Sequence, residues 1–106
     1  MIENKNYNNM LVPTLDDIIY KNCNFNWDVP LFVNGKPKGN RIFPEDDTPR
    51  TFINCNLRNV EPPPDSICES CLQVISQTDE ESGNMIIYGK YIDGQYIYLN
   101  EPEVVG

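Results

Sequence analysis

The chain has 106 residues, 40% of them hydrophobic, which allows one domain with a modest core and excludes wholesale disorder. A formal charge of −8 at pH 7 argues against a nucleic-acid binder, which needs clustered Lys and Arg; the eight basic residues are scattered, with no run longer than one. Histidine is absent, and with it the commonest general base, while no apolar run approaches the ~20 residues of a membrane span.

Residues 1–13 read as an N-terminal arm, Asn-rich and polar, with isolated Ile2, Tyr7, Met10 and Leu11. Two readings stay open: a frayed terminus, or an extended segment that orders only against a neighbouring subunit. The segment lacks the basic-then-apolar order of a signal peptide, so the expectation is a cytoplasmic product, or one assembled there, with four reduced cysteines. Thr14, Leu15, Asp16 and Asp17 follow Pro13 in the manner of a helix start, but the β-branched and aromatic Ile18, Ile19 and Tyr20 favour one short turn and then a strand.

That strand opens the first copy of a repeated hexamer. Tyr20-Lys21-Asn22-Cys23-Asn24-Phe25 and Phe52-Ile53-Asn54-Cys55-Asn56-Leu57 share the order aromatic, any, Asn, Cys, Asn, large apolar, 32 positions apart. Cys68-Glu69-Ser70-Cys71-Leu72-Gln73 is a weaker third copy, 16 positions further on. Period-two alternation puts Cys and the large apolar residue on one face of a strand. The aromatic joins that face only if the chain bends at the intervening Asn, the non-glycine residue that best tolerates left-handed backbone. Each copy therefore reads as strand, corner at Asn22, Asn54 or Ser70, then strand, stacked on its neighbours over residues 14–76.

The inserted loop 28–50 carries Pro30, Gly35, Pro37, Gly39, Pro44 and Pro49, with Asn34-Gly35 as a turn signal, and Leu31-Phe32-Val33 reads as one arm of a tight hairpin. A loop of this length is a candidate partner-binding surface. Its Glu45, Asp46 and Asp47 lack calcium-loop spacing and read as a solvated acidic turn. Pro62, Pro63 and Pro64 form a stiff connector to the third copy. Cys68 and Cys71 form a CxxC that, with Cys23 and Cys55, could in principle make a tetrathiolate zinc site; the repeat already explains Cys23, Cys55 and Cys71 as inward-facing core thiols. The expectation is no cofactor and no metal.

Residues 77–84 read as a polar, acidic linker, and residues 85–106 as a C-terminal hairpin and tail. Asp93-Gly94 between Met85–Ile92 and Gln95–Leu99 is the strongest short hairpin signal in the chain. The implied register pairs Tyr91 with Tyr96 and sets Gly89 opposite Tyr98, so that the Tyr98 ring can lie over bare backbone. One face then holds Ile87, Gly89, Tyr91, Tyr96 and Tyr98; the other holds Ile86, Tyr88, Lys90, Ile92, Ile97 and Leu99. A chain this small covers one face, so Ile87, Tyr91, Tyr96 and Tyr98 are the candidate oligomer interface. With no His, no phosphate loop and carboxylates confined to polar linkers, the expectation is not an enzyme and catalytic residues are none.

The run Phe52-Ile53-Asn54-Cys55-Asn56-Leu57 resembles a rung of the right-handed parallel β-helix, and the longer phrase from Thr51 to Asp65 resembles small β-helix-type virion structural proteins of tailed bacteriophages. The resemblance covers roughly residues 18–75. It implies an all-β fold, a short right-handed β-helix-like stack of two to three rungs with the C-terminal β-hairpin. It also implies a capsid decoration or adaptor subunit, homotrimeric, in contact with other virion proteins, located in the virion and assembled in the host cytoplasm. Two other expectations stand beside it: a zinc-stabilised adaptor using Cys23, Cys55, Cys68 and Cys71, and a carbohydrate-binding spike fragment, which an exposed aromatic row beside carboxylates would favour.

Overall fold

The computed structural model describes residues 1–12, 18–43, 48–92 and 95–105, with the backbone alone at Ile92 and Gln95. The turn expected at 14–17, the acidic cluster at 45–47 and the hairpin turn at 93–94 lie outside the described residues. The fold is all-β, with no helix among the described residues. Its strands are β1 (Ile2–Glu3), β2 (Ile19–Lys21), β3 (Leu31–Val33), β4 (Lys36–Lys38), β5 (Thr51–Ile53), β6 (Ile67–Glu69), β7 (Val74–Thr78), β8 (Met85–Ile92) and β9 (Gln95–Val105). They form a four-stranded sheet in the order β1-β2-β5-β6, the hairpin β3-β4, and a three-stranded sheet β7-β8-β9.

The four-stranded sheet is parallel, and its register follows the repeat. Ile2 lies beside Tyr20, Tyr20 beside Phe52, and Phe52 beside Cys68. After each strand the chain bends at Asn4, Asn22, Asn54 or Ser70, with φ of 57°, 55°, 51° and 54°. Past the bend, parallel bridges join Asn6 to Asn24, Asn24 to Asn56, and Asn56 to Leu72. The side chains reinforce the backbone ladder: Asn54 Nδ2 donates to Asn22 Oδ1 and Asn56 Nδ2 donates to Asn24 Oδ1, both at 2.6 Å. The outward Asn56 thus carries the same ladder bond as the corner Asn54, which the sequence reading did not give it.

Residues 2–7 are neither frayed nor waiting for another subunit. They are a fourth copy, Ile2-Glu3-Asn4-Lys5-Asn6-Tyr7, in which Lys5 stands where the others have Cys. Tyr7 stacks on Phe25 with centroids 5.2 Å apart, and Tyr20 stacks on Phe52 at 5.5 Å. Phe25 meets Tyr20 edge-on at 5.3 Å, so the copies interlock through offset and T-shaped pairs, the geometries that the ring quadrupoles favour. Tyr20, Phe25, Phe52, Leu57 and Ile42 are fully buried in this cluster. Arg50, also buried, closes one side: its Nη1 donates to Tyr20 Oη at 3.2 Å, and its guanidinium lies 4.7 Å from the Phe43 ring centroid.

The insertion between the copies at 20–25 and 52–57 contains the expected hairpin. β3 and β4 pair antiparallel around Asn34 and Gly35, both at positive φ. Gly39 then passes so close to the backbone of Val60 and Glu61 that a Cβ would sit 2.7 Å from Glu61 N. Asn40 bridges to Val60 there, which fixes the hairpin's base against the end of the second row.

The weak third copy runs directly into β7, so Gln77 and Thr78 belong to a strand. β8 and β9 pair as expected, Tyr91 with Tyr96 and Gly89 with Tyr98, and β9 continues to Val105 as an edge strand that tolerates Pro102. One detail differs. The Tyr96 ring, not that of Tyr98, covers Gly89: a Cβ there would lie 2.4 Å from Tyr96 Oη. Diagonal neighbours on one face of a twisted antiparallel pair are within reach of an aromatic ring, and Tyr96 leans back along that diagonal.

Asn59 couples the parallel sheet to the antiparallel one. It is fully buried at φ 61°. Its Nδ2 donates to Trp27 O and Ser76 O, and its Oδ1 accepts from Ser76 N, all at 2.8 Å. Asn59→Ala leaves these groups unpaired in the core and adds left-handed strain, so a loss of roughly 3–5 kcal/mol is expected in urea denaturation. Asn54→Ala should cost roughly 1–3 kcal/mol and Asn56→Ala less, about 1 kcal/mol, because only Asn54 occupies the left-handed region. Equal losses at 54 and 56 would remove the corner from the account.

Candidate functional site

Two groupings of chemically capable side chains stand out, a column of thiols and a cleft lined by tyrosines. The thiols repeat with the backbone. Cys23 Sγ lies 3.7 Å from Ile2 O, Cys55 Sγ 3.5 Å from Tyr20 O, and Cys71 Sγ 3.3 Å from Phe52 O. Each also lies within 3.4 Å of the carbonyl two residues before it. Each thiol in the column thus has two carbonyl acceptors in reach, one on the neighbouring strand and one on its own segment. Cys23 and Cys55 are buried as expected; Cys71 is only half-buried, because β6 is the last strand of the sheet among the described residues. Hydrogen bonding to Cys71 and burial push the Cys55 and Cys68 thiols up, and the same hydrogen bonds from Cys55 and Cys68 push Cys71 down, so Cys71 is the thiol of the three that ionises first. All four cysteines are free, and among the described residues no three His, Cys, Asp or Glu side chains are grouped to hold a metal ion.

The cleft lies between the hairpin β3-β4 and the antiparallel sheet, with a volume of about 280 Å³. Tyr91, Tyr96 and Tyr98 form one wall, while Lys36, Pro37 and Lys38 form the other. The rings of Tyr91 and Tyr96 are 5.3 Å apart and tilted by 53°. Tyr96 Oη donates to Pro37 O at 3.3 Å, and Lys36 Nζ lies 5.9 Å from the Tyr98 centroid. The face expected to meet another chain is thus met in part from within this one. Ile87 is not in the cleft; it sits further along β8, between Ser76 and Glu103.

Glu61 is the residue that the sequence reading missed. It lines this cleft and a second of about 310 Å³, which Tyr91 and Tyr96 also border and which Asp65, Ser66 and Gln73 make polar. Its Oε2 is buried and accepts no hydrogen bond; Lys38 Nζ lies 3.7 Å from it. Nothing in the sequence around Glu61 marks it, since its position depends on the approach of Gly39. Burial and then the Glu61 charge push the Tyr91 phenol up to about 12.

No family model, curated protein or solved structure matches this chain.

Two outcomes follow for this region. Tyr91 is harder to ionise folded than unfolded, so its stabilisation is complete below its ordinary value of 10.0 and is lost as pH rises toward 12. Urea midpoints measured across that window should fall, and less steeply in Tyr91→Phe. Cys55→Ala should cost about 1 kcal/mol, the loss of a small buried hydrophobe, and should not change the metal content of purified protein measured by elemental analysis. Stoichiometric zinc released only on unfolding would refute this account of the thiols.

Proposed function

We propose that the protein is a structural subunit of a tailed-phage virion, a capsid decoration or adaptor protein built on a short right-handed β-helix-like stack. On this reading it works by assembling as a homotrimer and is not an enzyme. The observation that carries the assembly reading is the set of open strand edges with exposed apolar side chains. β6 ends the parallel sheet, with Ile67 56% exposed and Leu72 49% exposed beside it. β9 ends the antiparallel sheet, with Val104 64% and Val105 50% exposed. Unpaired edges of this kind are templates for another chain.

The energetics favour contact. Removing ~400 Å² of apolar surface from water is worth on the order of 10 kcal/mol before association costs. The repulsion of −8 per subunit is screened beyond ~8 Å at physiological salt. The virion assignment and the three-fold state rest on the resemblance of the stretch from Thr51 to Asp65.

A second reading, a carbohydrate-binding spike subunit, draws support from the tyrosine row beside Glu61 and Asp65. Light scattering of the unmutated protein at micromolar concentration should give a trimer mass. Ile67→Asp and Val104→Asp, neither of which lines either cleft, should shift it to monomer and abolish incorporation into particles. A well-folded monomer of the unmutated protein would sink the homotrimer.

A further inference from the structure

We infer that the tyrosine-lined cleft binds an acidic saccharide, a pyranose unit bearing a carboxylate, whose charge is taken by Lys36. The inference rests on the carbohydrate-binding reading and adds to it the class of sugar. Three independent observations point the same way.

The first is the shape and chemistry of the walls. A cleft of about 280 Å³ suits one sugar ring, and the adjoining polar cleft of about 310 Å³ extends it by a second. Tyr96 and Tyr98 keep 37% and 42% of their surface exposed. A pyranose presents a face of C–H bonds with partial positive charge, which matches the negative face of an aromatic ring. Its rim of hydroxyls needs donors and acceptors, and Asp65, Ser66 and Gln73 supply them in the adjoining part.

The second is Glu61 Oε2. A buried carboxylate oxygen without a hydrogen bond is costly and rare in folded proteins, and here only the Lys38 ammonium, 3.7 Å away, offsets it. Glu61 stands where the two clefts meet, with its side chain 36% exposed. A sugar hydroxyl at that junction can donate to the exposed side of its carboxylate.

The third is charge. In a chain of net −8, two of the eight basic residues face each other's neighbourhood in this one cleft. Lys38 is paired with Glu61, but Lys36 forms no ion pair with the described residues and lies 5.9 Å from the Tyr98 ring centroid. The cleft therefore holds one ammonium in excess, beside an aromatic platform. A neutral sugar would leave that ammonium unused, whereas a ring carboxylate would pair with it in a charge-assisted hydrogen bond.

The test titrates the full chain with a di-uronate, with the neutral dihexose of the same linkage, and with sodium acetate, followed by amide chemical shifts. The expected result is saturable binding of the di-uronate, with shifts centred on Tyr91, Tyr96 and Tyr98. The neutral dihexose should bind roughly tenfold more weakly, the share of one charge-assisted hydrogen bond, and acetate should not saturate. Lys36→Gln, an exposed position, should weaken the di-uronate by roughly tenfold and the dihexose by much less, closing the gap between them; Tyr98→Ala should weaken both. Circular dichroism and light scattering confirm that each variant keeps its fold and assembly. Equal affinity for both sugars, insensitive to Lys36→Gln, would overturn the acidic specificity and leave the carbohydrate reading standing. No saturable binding of either sugar would overturn both.

Discussion

The buried amide of Asn59 is the constraint on which the rest of the molecule depends. A backbone turn into left-handed conformation and three hydrogen bonds of 2.8 Å meet at one side chain. Through Trp27 it holds the second copy, and through Ser76 it holds the start of the antiparallel sheet. Arg58 adds a bond from its Nε to Ser76 Oγ at 2.8 Å. Backbone bonds from Asn59 N to Val74 O at 2.9 Å and from Tyr91 N to Gln73 O at 3.1 Å join the two parts beside it. The orientation of β7, and so of the cleft wall that follows in β8 and β9, is set there.

The same residue marks the limit of what the sequence could convey. Asn22 and Asn54 were legible because they recur with Cys and an aromatic at fixed offsets, and left-handed backbone is what Asn tolerates. Asn59 has its counterpart in Asn9, whose Oδ1 accepts from Asp28 N as Asn59 Oδ1 accepts from Ser76 N. In the second copy that place is taken by Trp27, so no repeat of the side chain exists to read. The first copy was hidden in the same way, by Lys5 in place of Cys. The strands, the Asn34-Gly35 hairpin and the register of Tyr91 with Tyr96 followed from local signals. Glu61 did not, because it reaches the cleft only through the contact of its backbone with Gly39, which lies twenty-two positions away in sequence.

The thiol column shows how a residue type that suggests chemistry can serve packing instead. A cysteine side chain is small enough to sit between stacked aromatics, and its weak donor can be satisfied by a carbonyl of the adjacent strand. Cys55 illustrates both: it is buried between Cys23 and Cys71 while its sulfur faces Tyr20 O and Ile53 O. The hydrogen bond with Cys71 and then burial push the Cys55 thiol up, so this thiol holds its proton. The CxxC spacing of Cys68 and Cys71 then follows from the bend at Ser70, which turns both toward the interior from adjacent strands.

On the proposed reading, assembly and ligand binding would draw on different parts of the surface, and this separation has a physical origin. The exposed apolar residues at Ile67, Leu72, Val104 and Val105 lie on strand edges, where unpaired backbone groups can add a neighbouring strand. The tyrosines instead present ring faces toward the chain's own hairpin, and Tyr96 is already tied to it through Pro37 O. A protein partner covering the cleft would have to displace that bond and bury Lys36, an ammonium without a counter-charge. A small anionic ring makes no such demand. It enters between walls already in place and brings the missing charge with it, so the cleft can stay open to a ligand while the edges are closed by neighbouring subunits.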